Sequence, residues 1–462
     1  MTDSPLKQAW LNLTPAASQS QIETNWLIPH VLPIFGFSIG NGEIIPDYST
    51  GWGQHKADIA ARQSTPTDKF SQSQQNPFLI IEIKNRGYNL DSRSNSYRNA
   101  VEQLRGYLHP NSVNCSSAKW GILTNADYIQ LFRRHGRVFY PFTTNIQLTP
   151  DNVDQVIDLL KSYINNTQKA LTIALYNNKG GVGKTTTAIN LAAILSLPIK
   201  NEGFGKKVLV VDFDPNQRDL TKLLDVSPSK VTIWDYLGKR KGKEMDINDV
   251  ISPYKVKHNN KFYKIFDVIP ADEKFLELST AQKRLGNLRK ILTLLSNKYD
   301  YIIIDAPPGS GYFTKDTIVA SDVILMPSKH NGISSLQNAA VAITKIFPKL
   351  GADRRDPNLG EPELANPTAL PIFFNGEQTT DASKKQAESA ICQIIDTAEE
   401  EDKTDLESFF FPKKTPFVDD KSIFELRSSA YISASSFYQR PAVFTSKVAR
   451  AYYTNLVKEY FL

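Results

Sequence analysis

The chain has 462 residues, which is more than one compact hydrophobic core usually holds, and this length predicts two domains. Its 41% hydrophobic and 22% charged residues are typical of soluble globular proteins, and its short apolar runs argue against transmembrane helices. The chain has only two cysteines, which argues against a disulfide framework. Its N-terminus lacks a signal-peptide pattern, so we expect a cytoplasmic protein. The net charge of +6 permits contact with nucleic acid.

The first part of the chain predicts helices mixed with short strands. One helix begins near Glu23 and another covers Tyr97–Leu108. A third helix, Asp151–Ile164, precedes the polar stretch NNTQK, where we place the boundary between a domain of residues 1–165 and one of residues 166–462. The predicted strands are Ile44–Asp47, Ala57–Ala61, Phe78–Lys84, Trp120–Thr124 and Ile129–Arg133.

The stretch FLIIEIKNRG ends an apolar strand with charged residues. Alternation along a strand places Glu82 and Lys84 on one face, and Asp58 lies in another short strand upstream. Asp58 and Glu82 are candidates to share a divalent metal, with Lys84 polarising an attacking water. The alternative is an ordinary Glu/Lys pair on a surface strand.

From Leu171 onward, strands alternate with helices. This alternation predicts a doubly wound, mostly parallel sheet that is covered by helices on both faces. The predicted strands after the first, LTIALY, are Val208–Asp212, Phe266–Ile269, Tyr301–Asp305, Val323–Met326 and Leu370–Phe374.

The turn GGVGKTT between the first of these strands and its helix is typical of a phosphate-binding loop. Its glycines let successive backbone N–H groups point at phosphate oxygens, and the helix N-terminus adds positive potential. We expect Lys184 to reach the β- and γ-phosphates, Thr185 to bind Mg²⁺, and Thr186 to lie near the α-phosphate. A phosphate-binding loop needs one lysine, and Lys184 is that lysine. A second lysine, Lys179, precedes the glycines, and phosphate binding within one chain does not explain it.

Two further strands end in carboxylates. VLVVDFDPN carries Asp212 and Asp214, and YIIIDAPPG carries Asp305. The carboxyl ends of parallel strands face the ligand crevice, so Asp305 is expected on the magnesium side and one of the other two is expected to orient the attacking water. The alternative is that these aspartates only cap the helices that follow them.

KGGVGKTT, VDFDPN and YIIIDAPPG together resemble the ParA/MinD/Soj branch of P-loop ATPases with the deviant Walker A motif, over about Leu171–Leu462. The resemblance implies ATP and Mg²⁺ as ligands and an ATP-dependent homodimer in which Lys179 crosses to the partner's nucleotide. The catalytic residues that it implies are Lys179, Lys184, Asp214 and Asp305. The implied nucleotide contacts are Lys179, Gly180, Gly181, Val182, Gly183, Lys184, Thr185, Thr186 and Asn375, and the implied metal ligands are Thr185, Asp212 and Asp305.

The same resemblance implies nonspecific DNA and a ParB-like or other adaptor protein as partners, and association with the nucleoid. The C-terminal stretch VARAYYTNLVKEYFL is predicted to be a docked core helix rather than a membrane anchor. The candidate DNA-binding residues are Arg440, Lys447, Arg450, Lys239, Arg240 and Lys241.

The segments ETNWLIPHVLPIFGF, KADIAAR, PFLIIEIKNRG, AVEQLRGYL and WGILTNADYIQLFRR resemble the PD-(D/E)xK nuclease-like domain of type I restriction subunits. This implies a smaller restriction-endonuclease-like α/β domain and a second Mg²⁺ or Mn²⁺. The catalytic set that it implies is Glu23, Asp58, Glu82, Lys84 and Gln103, and Asp47 is set aside because Asp58 fits the EIK strand better.

Three functions follow from these patterns. The first is a partition-type ATPase that positions DNA or another cargo. The second is an ATP-gated, metal-dependent DNA nuclease, as in defence against foreign DNA. The third is a nucleotide-switched adaptor with an inactive nuclease fold.

Overall fold

The computed structural model describes residues 3–166, 169–227, 231–237, 245–277, 283–330, 332–359, 361–376, 380–414, 418–427, 432 and 439–462. The chain divides into two compact units. Unit 1 comprises Met1–Thr167 and Glu363–Ala365, and unit 2 comprises Gln168–Pro362 and Asn366–Leu462. The basic loop with Lys239, Arg240 and Lys241 lies outside the described residues.

Unit 1 is built around a mixed seven-stranded sheet, in which six strands follow chain order and the seventh pairs with the fifth. Its strands are β1 (Ile44–Ser49), β2 (Lys56–Ala61), β3 (Leu79–Ile83), β4 (Trp120–Thr124), β5 (Tyr128–His135), β6 (Val138–Pro141) and β7 (Ile146–Gln147). Its helices are α1 (Pro5–Leu11), α2 (Gln19–Ile22), a π-helix (Glu23–Val31), α3 (Leu32–Ile34), α4 (Phe70–Ser73), α5 (Asn95–Tyr107), a 3₁₀ turn (Val113–Cys115) and α6 (Val153–Asn165).

The centre of this sheet is set by β3, which is buried along its whole length. It pairs antiparallel with β2 and parallel with β4, and the crossover between β3 and β4 runs through α5. Helix α5 buries Ala100, Leu104 and Tyr107 on one face, as the 3.6-residue period requires. The predicted strands and helices of this unit are all present, whereas β6 and β7 were not predicted.

Unit 2 contains a second seven-stranded sheet and a small three-stranded one. Its strands are β8 (Leu171–Leu175), β9 (Val208–Asp212), β10 (Ser252–His258), β11 (Lys261–Ile269), β12 (Tyr301–Asp305), β13 (Val323–Leu325), β14 (Pro327–Ser328), β15 (Thr368–Ala369), β16 (Phe373–Asn375) and β17 (Glu425–Leu426). Its α-helices are α7 (Lys184–Ser196), α8 (Asp219–Leu223), α9 (Ile233–Leu237), α10 (Asn287–Leu295), α11 (Tyr312–Ala320), α12 (Ile333–Val341), α13 (Phe347–Arg354), α14 (Asp381–Asp402), α15 (Glu407–Phe410), α16 (Ala442–Thr445) and α17 (Lys447–Tyr460). Shorter helical turns cover Ile199–Asn201, Ile247–Val250, Glu273–Glu277, Ser296–Lys298, Ala342–Ile346 and Pro357–Leu359.

The doubly wound, mostly parallel sheet predicted for the second half of the chain is confirmed. The strand order is β10-β11-β9-β12-β8-β13-β15, and every pair except β10–β11 is parallel. The strands β8, β9 and β12 are fully buried, as expected for central strands with helices on both faces. Their carboxyl ends therefore meet at one edge of the sheet.

The single strand predicted at Leu370–Phe374 is wrong. The chain pairs with the large sheet through β15, where the Leu370 N–H still donates to Ile324 O at 2.8 Å, and then moves to the small sheet through β16. Pro371 separates the two, and proline has no N–H with which to continue a ladder. The hairpin of β10 and β11 was also not predicted beyond the segment Phe266–Ile269.

The C-terminal helix α17 is docked, as predicted. It buries Ala449, Tyr453, Leu456, Val457 and Tyr460, and it packs against α7, the helix that follows the phosphate loop. Within the described ranges, no helix is both long enough and apolar enough to cross a bilayer.

Candidate functional site

The phosphate loop lies between β8 and α7, at the carboxyl edge of the large sheet. Gly181 and Gly183 have φ angles of 72° and 86°, a left-handed conformation that glycine adopts without a steric penalty. Gly183 caps the start of α7, so the N–H groups of the first helical turn are directed toward the loop. This is the arrangement that binds phosphate oxygens at a helix N-terminus.

Lys184 is buried beneath this loop, with 8% of its surface exposed. Its Nζ donates to Asn177 O at 3.1 Å and to Lys179 O at 3.4 Å. Burial lowers the pKa of Lys184, and the nearby carboxylates of Asp305 and Asp214 oppose that shift. The ammonium group therefore holds the loop backbone while it lies beside the carboxylates of the site.

The loop is anchored by Asn177, a residue that our sequence analysis missed. Its Nδ2 donates to Pro327 O at 3.0 Å and Ser335 O at 3.1 Å, and its Oδ1 accepts from Lys179 N at 3.0 Å. Asn177 is buried, and its amide ties the loop to the neighbouring strand and helix. The signal available in the sequence was an asparagine at the end of an apolar strand, where its side chain needs a hydrogen-bond partner if it is buried.

Asn375, predicted to contact the adenine, lies against the phosphate loop. Its Nδ2 donates to Val182 O at 2.8 Å and to Thr187 Oγ1 at 3.3 Å. The end of β16 is thereby linked to the start of α7. In contrast, Lys179 and Gly180 are exposed, so the Lys179 side chain is accessible to a second molecule.

The three predicted carboxylates meet at the ends of β9 and β12. Asp305 is the register partner of Asp212 on the adjacent parallel strand. Asp212 accepts from Thr221 N at 2.8 Å, from Thr221 Oγ1 at 2.7 Å and from Asp214 N at 3.2 Å, and burial raises its pKa to about 6. One oxygen holds the backbone of the turn after β9 and the other holds Thr221 of α8, so Asp212 positions the segment that carries Asp214.

Asp305 is the carboxylate left available. Its Oδ1 is buried without a hydrogen-bond partner, whereas Thr185 hydrogen-bonds to the side chain. Burial raises the pKa of Asp305 to about 8, with Asp212 acting in the same direction and Lys184 in the opposite one. An unpaired buried oxygen beside a threonine hydroxyl fits the oxygen donors that Mg²⁺ prefers, so Thr185 and Asp305 could hold the ion.

Asp214 and Thr186 are the remaining predicted residues of the site that contains Thr185 and Asp305. Asp214 accepts from Asn216 N at 3.0 Å and Gln217 N at 3.1 Å through Oδ1, which leaves its other oxygen for a water or ligand. Thr186 lies in the first turn of α7 and is partly exposed.

The basic residues predicted near the C-terminus differ in their availability. Lys447 and Arg440 are exposed. Arg450 is engaged within the chain, because its Nε donates to Val443 O at 3.1 Å and its guanidinium pairs with Glu202 at 3.1 Å.

In unit 1, a second polar cluster forms at the ends of β2 and β3. Ile59 pairs with Ile81 in the antiparallel ladder, and continuing that register sets Asp58 opposite Glu82. Asp58 accepts from Ile83 N and from Gln19 Nε2, both at 2.5 Å. Gln19, from helix α2, is a further residue that our sequence analysis missed.

The two carboxylates of this cluster lie close together, with Glu82 buried and Asp58 partly buried. Burial raises the pKa of Asp58 to about 7, and the neighbouring charge of Glu82 adds to the shift. Glu82 is 1% exposed, and its Oε2 is buried without a hydrogen bond of normal geometry. Two carboxylates held this way favour a bound cation, which would relieve their mutual repulsion.

Lys84 and Gln103 complete the cluster. Lys84 Nζ lies 2.6 Å from Glu82 Oε1 and 2.7 Å from Gln103 Oε1, and Gln103 Nε2 donates to Tyr107 Oη at 2.6 Å. Gln103 and Tyr107 share a face of α5 because they are four residues apart. Of the five residues implied by the nuclease resemblance, four are thus assembled.

Glu23 interacts with the charge of another carboxylate. Burial raises the pKa of Glu23, and the charge of Asp47, the residue set aside in the sequence analysis, acts in the same direction. Within the part of the chain that the structure describes, no group of three or more His, Cys, Asp or Glu residues could hold a metal ion. A metal at the N-terminal cluster would therefore rest on two carboxylates, with other ligands from backbone, water or substrate.

Comparison with known proteins concerns unit 2. Residues 170–349 match a family described as an AAA domain. Over 184 residues the chain is 35% identical to the sporulation initiation inhibitor protein Soj of Bacillus subtilis, covering 37% of this chain and 66% of that protein. Over 156 residues it is 38% identical to the chromosome-partitioning ATPase Soj of Treponema pallidum, covering 34% of this chain and 56% of that protein. The chain thus spans less than two thirds of the length of these relatives.

Solved structures with a similar fold include an ATP complex of a Cyanothece McdA variant and a Pyrococcus horikoshii MinD with Mg-ADP. The first is 22% identical, with a TM-score of 0.44, and covers 63% of this chain and 96% of its own. The second is 18% identical, with a TM-score of 0.42, and covers 63% of this chain and 95% of its own.

Proposed function

We propose that unit 2 is an ATPase of the ParA/MinD/Soj group of P-loop proteins, which drives the partitioning or positioning of DNA or another cargo. The Soj relatives and the AAA-domain match support this group. The observation that carries the proposal is the convergence of Lys184, Thr185, Asp214 and Asp305 on one loop, with an unpaired buried oxygen on Asp305.

Each side chain has a role that follows from its position. The backbone of residues 180–186 and Lys184 would bind the phosphates, since both present positive charge at the start of α7. Thr185 and Asp305 would hold Mg²⁺, which neutralises phosphate charge when it is bound. Asp214 would orient the attacking water through its free oxygen, and Asp212 would hold the turn that carries Asp214.

Lys179 has a separate role in this proposal. Because its side chain is exposed and its backbone N–H is fixed by Asn177, it can reach across to the nucleotide of a second copy. A lysine paired with a partner's phosphate would make the dimer depend on ATP, and hydrolysis would release it. Adaptor proteins and nonspecific DNA are the partners that we propose for this dimer.

The test measures phosphate release from ATP and the molecular mass of the protein in the presence of ATP. Lys184→Ala and Asp305→Ala should abolish ATP turnover, and Lys179→Ala should leave a monomer with ATP in analytical ultracentrifugation. Lys200→Ala, an exposed lysine in the turn after α7, is the matched control and should behave like the parent protein. Parent-level turnover in the Lys184 or Asp305 variant would refute the site, and an ATP-dependent dimer of the Lys179 variant would refute the crossing lysine.

A second function, metal-dependent cleavage of DNA by unit 1, is favoured by one observation. Asp58, Glu82, Lys84 and Gln103 are assembled, and Glu82 Oε2 is buried near the Tyr107 hydroxyl without a hydrogen bond of normal geometry. Asp58 and Glu82 would hold Mg²⁺ or Mn²⁺, which lowers the pKa of a bound water. Lys84 would steady the charge that develops on the phosphate.

Plasmid cleavage with Mg²⁺ or Mn²⁺, with and without ATP, tests this second function. Glu82→Gln should abolish cleavage, whereas Glu102→Gln, on the exposed face of α5, should not. If the parent protein leaves the plasmid intact under all of these conditions, the nuclease function is wrong, and unit 1 acts as a binding or adaptor module.

A further inference from the structure

A basic hairpin projects from one end of the large sheet. Strands β10 and β11 are joined by Asn259 and Asn260, which have φ angles of 49° and 60°, the left-handed pair of a tight two-residue turn. Strand β9 pairs with β11 only over Asp267–Ile269. The outer half of the hairpin therefore extends beyond the sheet as a two-stranded ribbon, and Lys261–Lys264 are all exposed.

One face of this ribbon carries lysines in opposed positions. The register sets Lys255 opposite Lys264 and Lys257 opposite Phe262. Like charges placed directly across a ladder destabilise it, so the stability of the hairpin does not explain why Lys255 faces Lys264. Phe262, which is 67% exposed, adds an apolar side chain to the same face.

The face continues into a cavity of about 620 Å³ at the base of the hairpin. Five lysines line it: Lys206, Lys207, Lys255, Lys264 and Lys298. Among the described lining residues, Asp267 is the one acid, and it is already held by Lys264 at 2.7 Å and by the Tyr299 hydroxyl at 3.0 Å. These five lysines together with Lys257 are called the lysine face below.

The lysine face lies at the edge of the sheet opposite the phosphate loop. Lys206 and Lys207 directly precede β9, and Lys298 precedes β12, so they mark the amino ends of strands whose carboxyl ends carry Asp212 and Asp305. A ligand on this face would thus not contact the nucleotide site.

We propose that the lysine face binds the phosphate backbone of duplex DNA, and that it does so without ATP. Lys255 and Lys257 are about 7 Å apart on one face of their strand, and the phosphates of one DNA strand recur about every 3.4 Å along the helix axis, so both lysines can contact the same phosphate backbone. A two-stranded β-ribbon fits the major groove of B-form DNA, whereas the major groove of an RNA duplex is too narrow. This proposal rests on the proposed partitioning function in one respect, which is the choice of DNA as the partner.

The salt dependence of binding tests this directly. Binding of a fluorescein-labelled 30-base-pair duplex of random sequence is measured by anisotropy between about 50 and 200 mM salt, in the absence of nucleotide. The variant Lys255→Gln/Lys257→Gln/Lys264→Gln should make the negative slope of log K against log salt shallower by about 2.7, since each phosphate contact contributes about −0.9. A slope equal to that of the parent protein would overturn the proposal.

The matched control removes the same charge elsewhere. Lys290→Gln/Lys349→Gln/Lys385→Gln neutralises three exposed lysines on helices of unit 2 and should leave the slope unchanged. An equal loss in this control would overturn the proposal, because binding would then follow net charge alone. Thermal unfolding of both variants near that of the parent protein shows that a lost slope is not caused by unfolding.

Two further experiments test whether the lysine face prefers DNA to a membrane surface and whether its DNA binding depends on the nucleotide site. Vesicles of equal parts phosphatidylglycerol and phosphatidylcholine replace the duplex, and binding to vesicles but not to DNA would overturn the proposal in favour of a membrane surface. Lys184→Ala should bind DNA without nucleotide as the parent does. If Lys184→Ala loses ATP turnover but binds DNA as the parent does, the result supports the lysine face as a DNA site. If Lys184→Ala loses nucleotide-free DNA binding, the proposal that this binding does not need the nucleotide site is overturned.

Discussion

The contact between Asn375 and the phosphate loop predicts a graded response to alanine substitution of the loop glycines. At Gly180, φ is not in the left-handed region, and a Cβ would meet nothing within 4 Å. At Gly181 the space is also open, but φ is 72°. At Gly183 φ is 86°, and a Cβ would fall closer to Asn375 Nδ2 than van der Waals contact allows.

These three environments predict three different losses of unfolding free energy. Gly180→Ala should change the unfolding free energy by less than about 0.5 kcal/mol, as for an open surface site. Gly181→Ala should cost about 1–2 kcal/mol for the left-handed backbone. Gly183→Ala adds to this backbone cost the displacement of Asn375 and the loss of its bonds to Val182 and Thr187, about 1 kcal/mol each, for a total of about 3–4 kcal/mol.

Thermal unfolding of the full-length variants measures the series. For a unit of this size, about 1 kcal/mol corresponds to about 2 °C, so Gly181→Ala should lower the melting temperature by about 2–4 °C and Gly183→Ala by about 6–8 °C. The nucleotide affinity of Gly183→Ala, measured with a fluorescent ATP analogue, should fall at least tenfold, since a displaced loop no longer matches the phosphates.

A double variant distinguishes the clash from the backbone strain. Once Gly183→Ala has displaced Asn375, removing that side chain should cost little more, so Gly183→Ala/Asn375→Ala should be about as stable as Gly183→Ala. Fully additive losses would refute the reasoning, because they would mean that Asn375 and Gly183 do not touch. Equal losses at Gly181 and Gly183 would refute it as well.

Two further predictions concern buried side chains of unit 2. Asp316 accepts from Gly286 N at 2.5 Å and Leu288 N at 3.1 Å, and burial raises its pKa to about 7. The folded state then binds more protons than the unfolded state between about pH 4 and pH 7, so the unfolding free energy should fall with rising pH in that window, by at most about 1.4 kcal/mol per unit. Urea titrations should show a shallower fall for Asp316→Asn, and identical pH profiles would contradict this assignment. Tyr453 is 0% exposed between α17 and α7, so Tyr453→Ala should cost about 3–5 kcal/mol and the half-buried Tyr452→Ala much less; similar melting temperatures for both would show that α17 is not docked.

The sequence alone determined those features that depend on local pattern. The glycine spacing and the strand before it predicted the phosphate loop, because only glycine adopts the φ angles found at 181 and 183 at no cost. Buried parallel strands read as continuous apolar runs, so Tyr301–Asp305 was predicted with its bounds as observed. The alternation in FLIIEIKNRG likewise placed Glu82 and Lys84 on one face, whereas Gln103 was implied by the resemblance to a nuclease-like domain.

Only the tertiary structure decided which polar groups meet. Asn177 and Gln19 lie far in sequence from most of their partners, and no local period reports a hydrogen bond to a distant carbonyl or carboxylate. The same holds for the register that sets Lys255 opposite Lys264, since strand pairing is fixed by the turn and by the buried face together. Burial, which decides that Asp212 holds a turn while Asp305 keeps an unpaired oxygen, is a property of the packed chain and is not encoded in either residue alone.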